Sequence, residues 1–211
     1  MLFGTRSSYL IELEEMVEDA GLSAVKLDDE NPEQISAYLS EVSRTERKDG
    51  RKFLISSGDP GTRRVLFLAA IKLGFEPHQY VAHSSSSVSQ SASIGDGTHI
   101  NRLTSIASQV VIGRNVLLNR SCSVGHDSRV HDHVSFGAGV ILSANVTVHE
   151  GARLGAGCVF RPGVVVGAGA IVGAGAAVVK DVSPGATVFG NPASPEGRGQ
   201  TPPSQAGGEV L

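Results

Sequence analysis

From Val88 to Val178 every sixth residue is apolar, sixteen positions in all, and the register never slips. The series begins Val88, Ile94, Ile100 and Ile106 and runs through Phe136 and Phe160 to Val178. A period of six fits neither an α-helix, at about 3.6, nor a half-buried strand, at about 2, so it indicates a repeat architecture. Two positions before each beat the residue is usually small or aliphatic, as at Val116, Cys122, Val134, Val140, Cys158 and Ala170. The position after the beat is often glycine (Gly95, Gly113, Gly125, Gly137, Gly155), which suits a corner where the backbone bends sharply. The pattern predicts a parallel β-helix of short strands, with three hexads to a triangular coil and coils stacked at roughly 4.8 Å. Equivalent side chains then pile up eighteen residues apart, with the beat residues pointing inward.

Residues 1–83 follow another rhythm, short apolar runs alternating with helical periodicity. Strands are expected near Met1–Phe3, Ala24–Leu27, Phe53–Ser56 and Gln79–Val81. Helices are expected from Leu10 to Ala20, after the Asn31-Pro32 cap, and from Thr62 to Leu73. This alternation predicts a small α/β domain of Rossmann type with a parallel sheet. Ligands of such sheets lie at the carboxyl ends of the strands, here the turn Gly4 to Ser8 (with Arg6), the acidic pair Asp28-Asp29, and Gly58-Asp59. Neither G-x-G-x-x-G nor G-K-[ST] occurs, so no dinucleotide or P-loop reading is supported. The expected division is a first domain over 1–83, a β-helix over 84–193 and a disordered tail over 194–211, rich in Pro, Gly and Ser.

Composition agrees with a corner-rich solenoid: 26 glycines and 5% aromatic residues in 211. A net charge of -3 gives no case for nucleic acid or an anionic membrane, and no run is long and apolar enough to span a bilayer. Cys122 and Cys158 share one inward position two coils apart, so they read as small hydrophobes rather than a disulfide. With nothing that reads as a signal peptide, a reducing, cytoplasmic location is expected.

The repeat also sorts the histidines. His126, in Val124-Gly125-His126-Asp127, falls two positions after a beat, on the outer side at a corner. A general base needs a free ring nitrogen and a carboxylate to fix its tautomer, and Asp127 can supply the second. His131 and His149 fall just after beats, eighteen residues apart, and should stack on adjacent coils. His133 is placed outward by the same ruler.

The unbroken hexads, Gly125-His126-Asp127, Ser143 to Val148, and Val179-Lys180-Asp181-Val182 with Gly190-Asn191-Pro192-Ala193 resemble hexapeptide-repeat acyltransferases. Within them the chain is similar to the bacterial acetyltransferases of sialic acids and UDP-amino-sugars. The resemblance implies a left-handed β-helix, a homotrimer, and acetyl-CoA lying between two subunits. It implies His126 as catalytic base and Asp127 as its acid partner, with acceptor amine or hydroxyl attacking the thioester directly. The pantetheine arm would meet backbone at Ala144, Ala156 and Ala174. The first domain would hold the acceptor nucleotide through Asp28, Asp29 and Gly58. The family's Gly-His-Gly turn reads Gly4-Thr5-Arg6 here, and a second His found in some members is Ser135. Both departures touch the acceptor side.

Two rivals stand beside this reading. A γ-type carbonic anhydrase shares the fold, and His126 and His131 have its H-x4-H spacing. Its third histidine would fall near position 90, which is Gln90. The other rival is a non-catalytic trimeric scaffold. Among the acetyltransferase readings, transfer to an amine and transfer to a hydroxyl both remain open.

Overall fold

The computed structural model describes residues 2–4, 26–28 and 52–195. Eighteen two-residue strands, β5 (Val81–Ala82) to β22 (Thr187–Val188), wind into a left-handed parallel β-helix. They form three faces of five, seven and six strands, and each strand pairs in parallel with the one eighteen residues on through most of the stack. The beat drives the winding: from Ile100 to Val178 every sixth side chain is at most 2% exposed. The companion positions, Val110, Val116, Cys122, Val134 and Val140 among them, are equally buried and complete one continuous core. Two residues per strand are enough because both backbone neighbours of each rung are supplied by the coils above and below.

The corners carry two distinct backbone demands. Three positions after each beat from Ile94 to Val172 the backbone is left-handed, whether the residue is Gly139 (φ 69°), Asp127 (φ 60°) or Asn145 (φ 60°). The glycines directly after the beat serve another need, close approach: a Cβ on Gly137 would lie 2.5 Å from Ala156 N. The sharp bend expected at these glycines is therefore made two residues later, and glycine stands after the beat to let the next coil settle.

Before the solenoid, β1 (Leu2–Gly4), β2 (Lys26–Asp28), β3 (Lys52–Ser56) and β4 (Glu76–Pro77) form a parallel sheet in the order β2-β1-β3-β4. Register places Gly4 opposite both Asp28 and Ser56, so three strands end at one level. Helix α1 (Pro60–Lys72) follows β3, opened by Asp59, whose carboxylate accepts from Thr62 N at 2.7 Å, and by Pro60 in the first turn. The two earlier helices that the sequence predicts, with Arg6, Asp29 and residues 196–211, lie outside the described residues. The last strand of the sheet is Glu76–Pro77. Val81–Ala82, expected there, instead pairs with His99–Ile100 as the first rung of the solenoid.

Helix α1 lies against the seven-stranded face, with Phe67 edge-on to the His133 ring at 5.6 Å. Arg63 is fully buried beneath it and donates to Asn115 O, Ser57 O, His133 O and Val134 O at 2.9 Å and to Ser135 Oγ at 2.7 Å. Such satisfaction of the guanidinium fork makes a buried arginine tolerable. Among the described residues no helix is long and apolar enough to cross a membrane.

Candidate active site

His126 stands at the corner between β12 (Ser123–Val124) on the six-stranded face and β13 (Arg129–Val130) on the five-stranded face. Asp127 takes the left-handed position of that corner, which turns its carboxylate back onto the preceding side chain. Asp127 Oδ2 lies 2.7 Å from His126 Nδ1, and both side chains are about half exposed, at 57% and 52%. With Nδ1 oriented by the carboxylate, Nε2 faces outward and meets no hydrogen-bond partner among the described residues. This is the arrangement a general base requires. Aspartate suits the position twice, since it tolerates φ > 0 and supplies the acceptor.

Ala144 lies one coil above on the same edge, where Asn145 N donates to His126 O at 2.9 Å. Ala156 and Ala174 stack on a different edge, between the seven- and six-stranded faces, with Gly175 N donating to Ala156 O at 2.8 Å. The amides of Ala144, Ala156 and Ala174 donate to no other described residue. Each also rests on a glycine of the coil below: Cβ atoms on Gly125, Gly137 and Gly155 would fall 2.7, 2.5 and 2.4 Å from those three nitrogens. Two edges thus present unengaged backbone donors beside short side chains, a fit for the amide carbonyls of an extended pantetheine arm.

The acceptor candidates gather elsewhere. Gly4 and Asp28 end adjacent strands at one level, and Gly58 follows the third strand end at Ser56. Gly58 is half-buried, and its carbonyl accepts from Ser135 Oγ at 3.0 Å. A cleft of about 330 Å³ opens there between Gly58 and the solenoid, walled by Ser135, Gly137, Arg153 and Gly155. His126 lies on the edge between the six- and five-stranded faces, whereas this cleft is walled by the seven-stranded face, so one chain does not bring His126 and Gly58 together.

Other titratable groups separate cleanly from the site. Burial pushes the Cys122 thiol up to about 11 and the Cys158 thiol to about 12, so neither is a thiolate nucleophile. His131 and His149 stack on adjacent coils with centroids 4.7 Å apart. His126 and His131 lie at opposite ends of β13, on separate edges, and among the described residues no group of three His, Cys, Asp or Glu could hold a metal. His133, expected outward, is buried (4% exposed), with Nδ1 2.8 Å from Asn115 Nδ2. The hexad rule does place it outside the coil, but α1 covers that edge. Burial, with the nearby Arg63 charge, holds its ring below the usual histidine range despite the opposing Asp132. His99 lies at a neighbouring outward position under the first domain, fully buried with Nε2 unpartnered, and is pushed down to about 3 by desolvation and Arg63.

Sequence reasoning missed Arg63 and the anchoring role of Ser135. The available signal was slight: a single arginine on the apolar side of α1, among Leu66, Phe67 and Ala70.

The bacterial transferase hexapeptide family (six repeats) matches residues 145–180. No curated protein sequence matches the chain. Among solved structures, a perosamine N-acetyltransferase from Caulobacter crescentus, in complex with CoA and GDP-perosamine, is 25% identical with a TM-score of 0.81. The alignment covers 92% of this chain and 95% of that one. The acetyltransferase domain of PglB from Neisseria gonorrhoeae gives the same identity and TM-score, over 92% and 98% of the two chains. WeeI from Acinetobacter baumannii is 25% identical with a TM-score of 0.74 over the same shares. The chain is similar to these proteins along nearly its whole length, and it has the hexapeptide repeat and fold of acyltransferases of this kind.

Proposed function

We propose that the chain is an acetyl-CoA-dependent acetyltransferase whose acceptor is the amine of a nucleotide-linked amino sugar. The observation that carries this reading is the His126–Asp127 hydrogen bond, set at a solenoid corner beneath the free amide of Ala144. The likeness to sugar N-acetyltransferases over 92% of the chain supports the substrate class. Acetyl-CoA supplies the thioester, whose carbonyl carbon is the electrophile. The backbone at Ala144, Ala156 and Ala174 holds the pantetheine arm. The acceptor nitrogen attacks, His126 Nε2 takes its proton, the new C–N bond forms as the C–S bond breaks, and the proton passes to the departing thiolate. Asp127 keeps the imidazole in the tautomer with Nε2 unprotonated and stabilises the charged ring that follows. The cysteines are core residues, so transfer is direct and involves no acyl-enzyme.

The first domain acts as a Rossmann-like acceptor-binding unit, with Gly4, Arg6, Asp28, Asp29 and Gly58 around the nucleotide. The order β2-β1-β3-β4 puts a reversal of strand order between β1 and β3, the crevice where such parallel sheets take ligands. Because base and acceptor loop lie on different edges, the complete site forms between copies, in a homotrimer.

The test is thiol release from acetyl-CoA in the presence of UDP- or GDP-linked amino sugars, followed by NMR of the product. An acetamide resonance is the expected result. An acetate ester would move the chain to sugar O-acetylation, and no thiol release with any amino sugar would overturn the reading.

A further inference from the structure

Three consecutive residues after β3 are each tied down. Arg63 Nη1 donates to Ser57 O at 2.9 Å, Ser135 Oγ donates to Gly58 O at 3.0 Å, and the Asp59 carboxylate pairs with the Arg153 guanidinium. Two of these anchors are solenoid side chains on successive rungs of the seven-stranded face, β14 (Ser135–Phe136) and β17 (Arg153–Leu154), paired in register Ser135 to Arg153. Both rungs run directly into the edge that carries Ala156: β14 into Gly137, and β17 into Gly155 and Ala156 itself.

We propose that Ser135 and Arg153 are positioning residues that set the acceptor loop, Ser57 to Asp59, in register with the donor edge at Ala156 across the cleft between them. The inference rests on the acetyl-transfer reading above. Seating of the helix has its own support, because Arg63 holds the carbonyls of Asn115, His133 and Val134, and Phe67 packs on His133 and over Gly97. Ser135 Oγ also accepts from Arg63 Nη1, but without it Arg63 keeps the carbonyls of Ser57, Asn115, His133 and Val134. Loss of the Ser135 and Arg153 contacts therefore leaves the helix docked and releases the loop at Gly58 and Asp59. An unanchored loop lowers acceptor affinity through the entropy of ordering it again, and it leaves the CoA edge untouched.

The experiment compares the full-length protein with its Ser135→Ala and Arg153→Gln variants, with Arg153→Lys as the conservative control. In both loss variants the KM for the amino-sugar acceptor is expected to rise about tenfold. The KM for acetyl-CoA should stay within about twofold, and Arg153→Lys should recover most of the acceptor affinity. An unchanged acceptor KM overturns the proposal, and so does a parallel rise of both constants with loss of thermal stability. Hydrogen exchange reads the clamp without chemistry: amides of residues 57–63 should lose protection in Ser135→Ala while those of the solenoid rungs keep theirs. Unaltered protection overturns the clamp. Absent thiol release in the wild type overturns the acetyl-transfer reading instead, and exchange then decides the clamp by itself.

Discussion

At the scale of single residues, position on the prism decides what each histidine can do. His126 keeps solvent access and gains a carboxylate because its neighbour occupies the left-handed corner, whereas His99 and His133 lose their solvent to the first domain. His99 has a direct consequence for pH. Its folded pKa, about 3, lies below the ordinary 6.5, so the unfolded chain binds the extra proton. The stability this gives is present above about pH 6.5 and is lost as pH falls from there toward 3. His133 shifts in the same direction. Asp59 and Asp132 are also held low, against their burial, by hydrogen bonds and by arginine charge, which adds a loss below about pH 4. We therefore expect the melting temperature to fall by about 3 °C per pH unit between pH 6.5 and 4.5, and His99→Asn to flatten that slope. A wild-type melting temperature independent of pH in this window would contradict the assignment. His126 was legible in the sequence because the beat fixed its corner and the adjacent aspartate completed a pair. Arg63 was not, since its burial depends on carbonyls 52 to 71 positions further along the chain, which periodicity within α1 cannot reveal.

At the scale of the element, the hexad is a strand of two residues joined by a corner of four, and its glycines divide by cause. Those after the beat make room for the coil above. Those three after the beat accommodate positive φ, for which Asn, Asp and His also serve. Two substitutions separate these causes. Gly137→Ala would place a Cβ 2.5 Å from Ala156 N, and we expect it to cost more than about 2 kcal/mol in denaturant unfolding. Gly157→Ala, at φ +68° with nothing within 4 Å, should cost only about 1 kcal/mol. Equal costs would refute the distinction. The sequence showed that glycine recurs at the corners, but it could not say which glycine bends and which yields space. That answer depends on the separation of stacked coils.

At the scale of the whole molecule, the two edges assigned to acetyl-CoA flank the same six-stranded face. That face carries Ile141 and Val159 in register, 45% and 40% exposed in the single chain. In the homotrimer proposed above, a second copy seated there would cover this apolar column and bring one subunit's His126 edge toward another's Ala156 edge. Val159→Asp should lower the mass found by light scattering from trimer to monomer and abolish acetyl transfer. A trimer that persists with activity intact would remove this face from the assembly. The solenoid was legible from Val88 to Val178 because sixteen beats over-determine it, whereas its first rung, Val81–Ala82, lies before the first beat and read as the last strand of the sheet. Docking of the first domain was not, because it runs through a few long-range contacts, Arg63 and Ser135 foremost, without any repeat of their own. The central claim is that His126 is the base of a direct acetyl transfer, and the rate of thiol release from acetyl-CoA with an amino-sugar acceptor tests it most directly. His126→Ala should fold with an unchanged melting temperature, since the ring is exposed, and release thiol at least about a hundredfold more slowly than the wild type. Release at the wild-type rate would contradict the account.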